Sequence, residues 1–213
     1  MKKNKVLIVE DQTMPRKMFE MVINEAEDFE LAASIENADL ADIYCLNNGV
    51  DLIIMDVVTK NGSSGLEASK KIKTKFPAVK IIVVTSMPEY SFIDYAKQIG
   101  VDSFCYKDSM FDNIISIMQM TMKGEHIFPD STPVITLGTA LSTEFTKREL
   151  EVLKLMTGGY TNTEIGDMLC ISLSTVKTHI QSMLDKTAFR NRTELAVRAR
   201  ESGIVILGYT ETE

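Results

Sequence analysis

Five residues in this chain carry side chains suited to polar chemistry and stand where short apolar runs stop. Glu10 and Asp11 follow Val6-Leu7-Ile8-Val9, Asp56 follows Leu52-Ile53-Ile54-Met55, Thr85 follows Ile81-Ile82-Val83-Val84, and Lys107 follows Ser103-Phe104-Cys105-Tyr106. Short apolar runs bounded by polar residues read as buried strands of a parallel sheet. Open sheets of that kind place ligands at the carboxyl edge of their strands. One aspartate ending one strand is more often a plain terminator, but a set of three acids, a hydroxyl and an ammonium delivered to one edge is a site. Three carboxylates in one place repel, so a compensating charge is needed. Mg²⁺ meets that need, since it takes oxygen ligands and only one or two carboxylates. Asp56 is then placed to act as a nucleophile toward phosphorus. Lys107 would pair with the phosphoryl oxygens and the Thr85 hydroxyl would hydrogen-bond to them. Thr85 is drawn in only when a phosphoryl group is present, so the parts imply a switch.

The intervening segments supply what such a sheet requires. Met14, Met18, Met21, Val22 and Ala26 lie at helical spacing across 14–27, and 29–35 reads as a second strand. A short helix over 40–47 ends near Gly49. A polar loop, Thr59–Gly65, leads to a lysine-faced helix, Leu66–Phe76, closed by Pro77. Helices over 89–99 and 110–122 flank the short Ser103–Lys107 strand. Strands alternating with helices define a doubly wound α/β domain with a five-stranded parallel sheet, of flavodoxin-like type, over residues 1–123. Residues 124–142, with two prolines, two glycines and no helical period, read as a linker. His126 within it has no Cys or His neighbour and is a poor metal candidate.

Residues 143–213 change character. Thr146-Lys-Arg-Glu149 and Thr161-Asn-Thr-Glu164 are capping boxes that each open a helix, and Gly158-Gly159 is a natural stop. Ser172 is a further cap candidate, opening a helix to about Lys186. Asn191 or Thr193 begins a last helix ending at Gly203. Two short helices joined by a tight turn outline a helix-turn-helix in a small all-α domain. On the second of these helices Val176, Ile180, Met183 and Leu184 share an inward stripe. Ser174, Thr178, Gln181 and Asp185 lie opposite, with Lys177 on the flank. A helix of this kind in a major groove would offer that outer set to bases and phosphates. Lys186, Arg190 and Arg192 are the further phosphate candidates. Arg192 and His179 read equally well as scaffold residues.

Bulk properties narrow the class. The 213 residues suit two domains, and 45% hydrophobic with 25% charged content describes an ordinary soluble chain. The net charge of −7 hides a split. Residues 1–142 hold fourteen basic against twenty acidic side chains, whereas 143–200 hold nine against seven. The second segment is therefore the nucleic-acid candidate, although mildly so. Cys45, Cys105 and Cys170 are far apart in apolar contexts and read as reduced packing residues. No segment is long and apolar enough to span a membrane, and a cytoplasmic location is expected.

Glu10-Asp11, Asp56, Thr85-Ser86 and Lys107 resemble, in order and spacing, the receiver domains of two-component response regulators. Thr146-Lys-Arg-Glu-Leu-Glu-Val-Leu, Thr163-Glu-Ile-Gly-Asp-Met-Leu and Ser172-Leu-Ser-Thr-Val-Lys-Thr-His resemble the LuxR-type DNA-binding domains of the NarL/FixJ family. The resemblance covers nearly the whole chain apart from the linker. It implies that Asp56 accepts a phosphoryl group from a sensor histidine kinase. Asp11, Asp56 and the Val58 carbonyl would ligate Mg²⁺, with Glu10 assisting through water. Thr85 and Lys107 would read the phosphoryl group, and Phe104 occupies the switch-aromatic position. Double-stranded DNA is the implied target and a homodimer the implied active form, reached by dimerisation or by domain release. One departure stands out: Thr59–Gly65 lacks the family's Met-Pro pair, and its glycine comes one residue late. An aspartyl-phosphate phosphatase would want a second acid where Val58 stands. A flavin site would want a Gly/Ser/Thr loop where Gln12-Thr13-Met14-Pro15 stands. A constitutive DNA-binding protein that no longer uses phosphate rests on the altered loop alone.

Overall fold

A computed structural model describes residues 2–110 and 113–205. The chain divides into two compact units whose main boundary falls between Asp130 and Ser131.

The first unit runs β1 (Asn4–Val9), α1 (Thr13–Glu25), β2 (Phe29–Ile35), α2 (Ala41–Asn48), β3 (Leu52–Asp56), β4 (Val58–Thr59), β5 (Ser63–Ser64), α3 (Gly65–Lys75), β6 (Lys80–Thr85), α4 (Phe92–Gln98), β7 (Ser103–Tyr106), α5 (Lys107–Met110) and α6 (Ile114–Met122). The main sheet is parallel, in the order β2-β1-β3-β6-β7. Because successive side chains alternate between faces, Val6, Ile8, Leu52, Ile54, Ile82, Val84 and Cys105 pack against Phe19 and Ile23 of α1 and the apolar side of α6. The alternate residues Leu7, Ile53, Met55, Ile81, Val83 and Phe104 are buried too, and α2 and α3 pack on β1, β3 and β6. Burial on both faces explains why these strands read as unbroken apolar runs rather than alternating ones.

Several boundaries differ from the sequence reading. The helix expected from 89 begins at Phe92, and that expected over 110–122 is described from Ile114, with 111 and 112 outside the described residues. Thr59–Gly65 is not a plain loop. Val58 and Thr59 pair antiparallel with Ser64 and Ser63, and Asn61 and Gly62 turn the tip in the left-handed region. At the base of the sheet Asp102 accepts from the Ile81 amide and from the ammonium groups of Lys73 and Lys80, at 2.8–2.9 Å. Burial would raise that carboxyl, but its three donors hold it below the usual range.

The second unit contains β8 (Thr136–Leu137), β9 (Ala140–Leu141), α7 (Lys147–Thr157), α8 (Asn162–Met168), α9 (Leu173–Thr187) and α10 (Arg192–Ser202). The two capping boxes form as read, with Thr146 and Thr161 each accepting from the N3 amide while the N3 glutamate accepts from the cap amide. Ser172 and Asn191 cap α9 and α10. Val152, Leu153, Ile165, Val176, Met183, Leu195 and Ala199 fill the core between these helices. The end of the segment read as 143–213, from 206 on, lies outside the described residues.

The linker reading of 124–142 needs correcting at both ends. After α6 the chain folds back along β7, with the Phe104 amide donating to the Ile127 carbonyl (2.8 Å) and the Ile127 amide to Ser103 Oγ (3.2 Å). His126 Nδ1 lies 2.9 Å from the Asp102 carbonyl, and the Lys97 ammonium sits 5.3 Å from the centre of the Phe128 ring. Further on, the β8–β9 hairpin buries Leu137 and Ala140 in the core of the second unit. The tightness of both turns and the lack of a helical period hid these attachments. Cys170 also departs from expectation. It is exposed, in the turn between α8 and α9, whereas Cys45 and Cys105 are buried. Among the described residues no helix is long and apolar enough to cross a membrane.

Candidate functional site

The sheet register decides which side chains meet. Val9 pairs with Met55 and Asp56 with Val84, so Glu10 and Asp56 leave adjacent strands at the same level. Thr85 pairs with Tyr106, which places Lys107 one step beyond on the next strand. Strands β1 and β3 flank the point where the strand order reverses, the position at which doubly wound sheets open a crevice. The five residues singled out by type therefore come to one edge of the sheet.

Glu10 is fully buried, Asp56 and Lys107 nearly so, and Asp11 is half-buried. The Lys107 ammonium lies 2.6 Å from Glu10 Oε2 and 2.9 Å from Asp56 Oδ2. The other Asp56 oxygen accepts from the Val57 amide at 2.8 Å, and Glu10 Oε1 accepts from the Gln12 amide at 3.0 Å. One carboxylate oxygen from each of Glu10, Asp11 and Asp56 lies within 4.8 Å of the others. Burial pushes the Asp56 carboxyl up to about 7; Lys107 pulls it down, and the neighbouring Glu10 adds to the rise. Burial disfavours the Lys107 ammonium, yet Asp56 and Glu10 together hold its pKa above the ordinary lysine value. Three carboxylates gather here beside one ammonium, which pairs with two of them, so the pocket has an excess of negative charge. Its donor set is oxygen only. That combination fits a hard divalent cation such as Mg²⁺.

Thr85 is buried at the last position of β6. Phe104 is fully buried and meets Tyr106 edge-on, with ring centroids 5.4 Å apart. Val58, half-buried, begins β4 two residues beyond Asp56. The glycine that arrives one residue late has a clear role, since its amide donates to the Val57 carbonyl at 2.8 Å. A Cβ on Gly65 would fall 1.8 Å from the Asp56 carbonyl oxygen. The β4–β5 hairpin thus leads into a closed strand-to-helix junction beside Asp56. Arg16 was not legible as part of this region. It donates to the Glu10 carbonyl at 3.1 Å and pairs with Glu36 at 2.9 Å, and a lone arginine early in a helix carries no signal of such contacts.

In the second unit α9 buries Val176, Ile180 and Met183, and exposes Ser174, Lys177, Thr178, Gln181 and Asp185. The outer set expected from periodicity is thus on one face. Thr178 donates back to the Ser174 carbonyl at 3.0 Å, and Gln181 Nε2 donates to Asp185 Oδ1 at 2.7 Å. Arg190 is exposed beyond the end of the helix. Two expected phosphate contacts are engaged elsewhere. The Lys186 ammonium donates to both Glu149 oxygens, at 2.6 and 2.8 Å, and to the Glu144 carbonyl at 2.9 Å, which uses all three of its protons. Arg192 donates to Asn162 Oδ1 at 2.8 Å and to the Tyr160 carbonyl at 2.9 Å, tying α10 to the start of α8. Both residues hold the domain together, and His179 is half-buried on the side of α9.

A five-stranded parallel sheet with an acid pocket at its carboxyl edge, joined to a four-helix unit, defines a receiver linked to a helix-turn-helix domain. Residues 6–119 match the response regulator receiver domain family, and residues 143–199 match the bacterial regulatory proteins of the luxR family. The chain is 33% identical, over 95% of its length and 98% of the relative's, to the uncharacterized transcriptional regulatory protein YxjL of Bacillus subtilis (strain 168). It is 30% identical to the response regulator protein VraR of Staphylococcus epidermidis, over 94% of this chain and 98% of VraR. The solved structure of the two-component response regulator RcsB in complex with DNA shares the fold, with a TM-score of 0.63 at 19% identity over 93% of this chain and 98% of RcsB. The chain belongs to the response regulators of NarL/FixJ type.

Proposed function

We propose that this protein is a DNA-binding transcriptional regulator switched by phosphorylation at Asp56. The observation that carries the reading is the buried Lys107 ammonium bridging Asp56 and Glu10 at the edge of a family-typical sheet. A sensor histidine kinase is the donor. The phosphorus–nitrogen bond of its phosphohistidine breaks as the bond between an Asp56 carboxylate oxygen and phosphorus forms. Asp11, Asp56 and the Val58 carbonyl, with Glu10 beside them, would hold Mg²⁺, which when bound would supply positive charge to the transferring group. Forming the acyl phosphate removes the Asp56 carboxylate from Lys107, whose ammonium then pairs with the phosphoryl oxygens. The Thr85 hydroxyl turns to the same group, and Phe104 on the neighbouring strand responds to the space it leaves. The resulting population shift favours a homodimer or frees the second unit to bind promoter DNA.

Intact mass after incubation with Mg²⁺ and acetyl phosphate tests this directly. One phosphoryl group per chain is expected for the wild type and none for Asp56→Ala. No incorporation by the wild type, even with a histidine kinase supplied, would leave a constitutive DNA-binding protein.

A second expectation concerns α9. Lys177→Ala should weaken DNA binding about equally across sequences and lower the salt slope of binding by about 1, as loss of one phosphate contact does. Arg192→Ala should leave the salt slope unchanged and lower the stability of the second unit by about 2 kcal/mol, through two lost charge-assisted bonds. Affinities measured against salt concentration, beside thermal unfolding, separate the two roles. A reduced slope for Arg192→Ala would return it to the DNA-contacting set.

A further inference from the structure

We propose that Thr59 is a positioning residue for the metal, fixing the Val58 carbonyl through the short β4–β5 hairpin; this rests on the reading of the acid pocket given above. A surface hairpin with two residues per strand is not stable by itself. This one is fastened to the turn after β2. The Thr59 side chain is buried, accepts from the Ala38 amide at 3.0 Å and donates to the Ser63 carbonyl at 3.1 Å. Ser63, also buried, accepts from the Asp39 amide at 3.1 Å. The Lys60 amide donates to the Glu36 carbonyl at 3.0 Å, and its ammonium pairs with the Glu36 carboxylate at 2.6 Å. Glu36 in turn holds Arg16, which donates to the carbonyl of Glu10. Two strand ends that supply the pocket, those of β1 and β3, are therefore braced against the same turn.

Thr59 is the centre of this bracing. Its hydroxyl both closes the hairpin and ties it to residue 38. A ligating backbone carbonyl cannot be repositioned by its own side chain, so its placement depends on its neighbours in the chain. Val58 is adjacent to Thr59, and Gly65 fixes the far end of the segment against Val57. The rest of the exposed tip, Asn61 and Gly62, makes none of these ties.

Removing partners that orient a metal's ligands lowers metal affinity about 10- to 100-fold. Titration calorimetry with Mg²⁺ alone should therefore show Thr59→Val binding about tenfold more weakly than wild type, with Thr59→Ser close to wild type. The rate of phosphoryl incorporation from acetyl phosphate should fall at low Mg²⁺ and recover at saturating Mg²⁺. Faster hydrogen exchange at the Ala38 amide, measured without metal, should accompany the change. Ser63→Ala, which removes only the tie to Asp39, should shift Mg²⁺ affinity in the same direction and decides the matter if Thr59→Val does not fold. Unchanged Mg²⁺ affinity in the folded variant overturns the role of Thr59, as does a rate loss that saturating Mg²⁺ fails to restore. A wild type that binds no Mg²⁺ overturns the reading of the pocket itself.

Discussion

Gly65→Ala is expected to destabilise the first unit by about 3 kcal/mol or more, the upper range for overpacking a site that cannot yield. The added Cβ would lie 1.8 Å from the Asp56 carbonyl oxygen, 2.9 Å from its carbon and 2.9 Å from Met55 Cγ. Two of those three atoms are backbone in the central strand, so no rotamer change relieves the contact. Helix α3 must retreat from the strand end, which breaks the bond from the Gly65 amide to the Val57 carbonyl. Because the displaced atom belongs to Asp56, the proposed phosphoacceptor, phosphoryl incorporation should fall together with stability. Gly62→Ala is the control: its Cβ meets open space, and its φ of 73° costs only about 1–2 kcal/mol of left-handed strain. Urea unfolding of both variants checks this. Equal losses would mean that the close approach to Asp56 is not what requires glycine at 65.

Glu149→Gln should lower the stability of the second unit by about 3 kcal/mol at neutral pH, the scale set by a carboxyl held at about 2 instead of 4.5. Burial by itself would raise this carboxyl. The Lys186 ammonium, the Thr146 amide and hydroxyl and the Ser182 hydroxyl outweigh burial and bring it from an ordinary 4.5 down to about 2. A depressed carboxyl stabilises the fold fully above its unfolded value and loses that contribution as pH falls toward its folded value. The wild-type unit should therefore lose stability between about pH 4.5 and 2, and Glu149→Gln should be flatter across the same window. Calorimetric unfolding at several pH values tests both statements. A variant as acid-sensitive as the wild type would place the titration elsewhere.

Much of the receiver was legible because its strands are buried on both faces and end abruptly in polar residues. The order Glu10-Asp11, Asp56, Thr85, Lys107 gave the pocket before any distance was known. Local signals served equally well in the second unit, where capping boxes at Thr146 and Thr161 act over three residues. What escaped was contact between residues remote in sequence. Nothing near Lys186 marks Glu149, thirty-seven positions away, as the partner of its ammonium, so a terminal lysine on an outward helix read as a phosphate contact. Thr59 and Ser63 looked like solvated loop residues, since a buried hydroxyl and an exposed one leave the same letter. Arg192 could be read either way, and its bonds to Asn162 and Tyr160, thirty or more positions away, were likewise invisible in the sequence.

The attachments at both ends of the 124–142 segment also define what can be moved as a piece. Residues 125–128 belong to the first unit and 135–141 to the second, which leaves 129–134 as the connecting stretch. A fragment begun at 143 would discard Leu137 and Ala140 and open the second core to water, whereas one begun near 131 keeps both residues. Grafts, swaps and truncations of this regulator have a window of six residues in which the cut spares Ile127 on one side and Leu137 and Ala140 on the other.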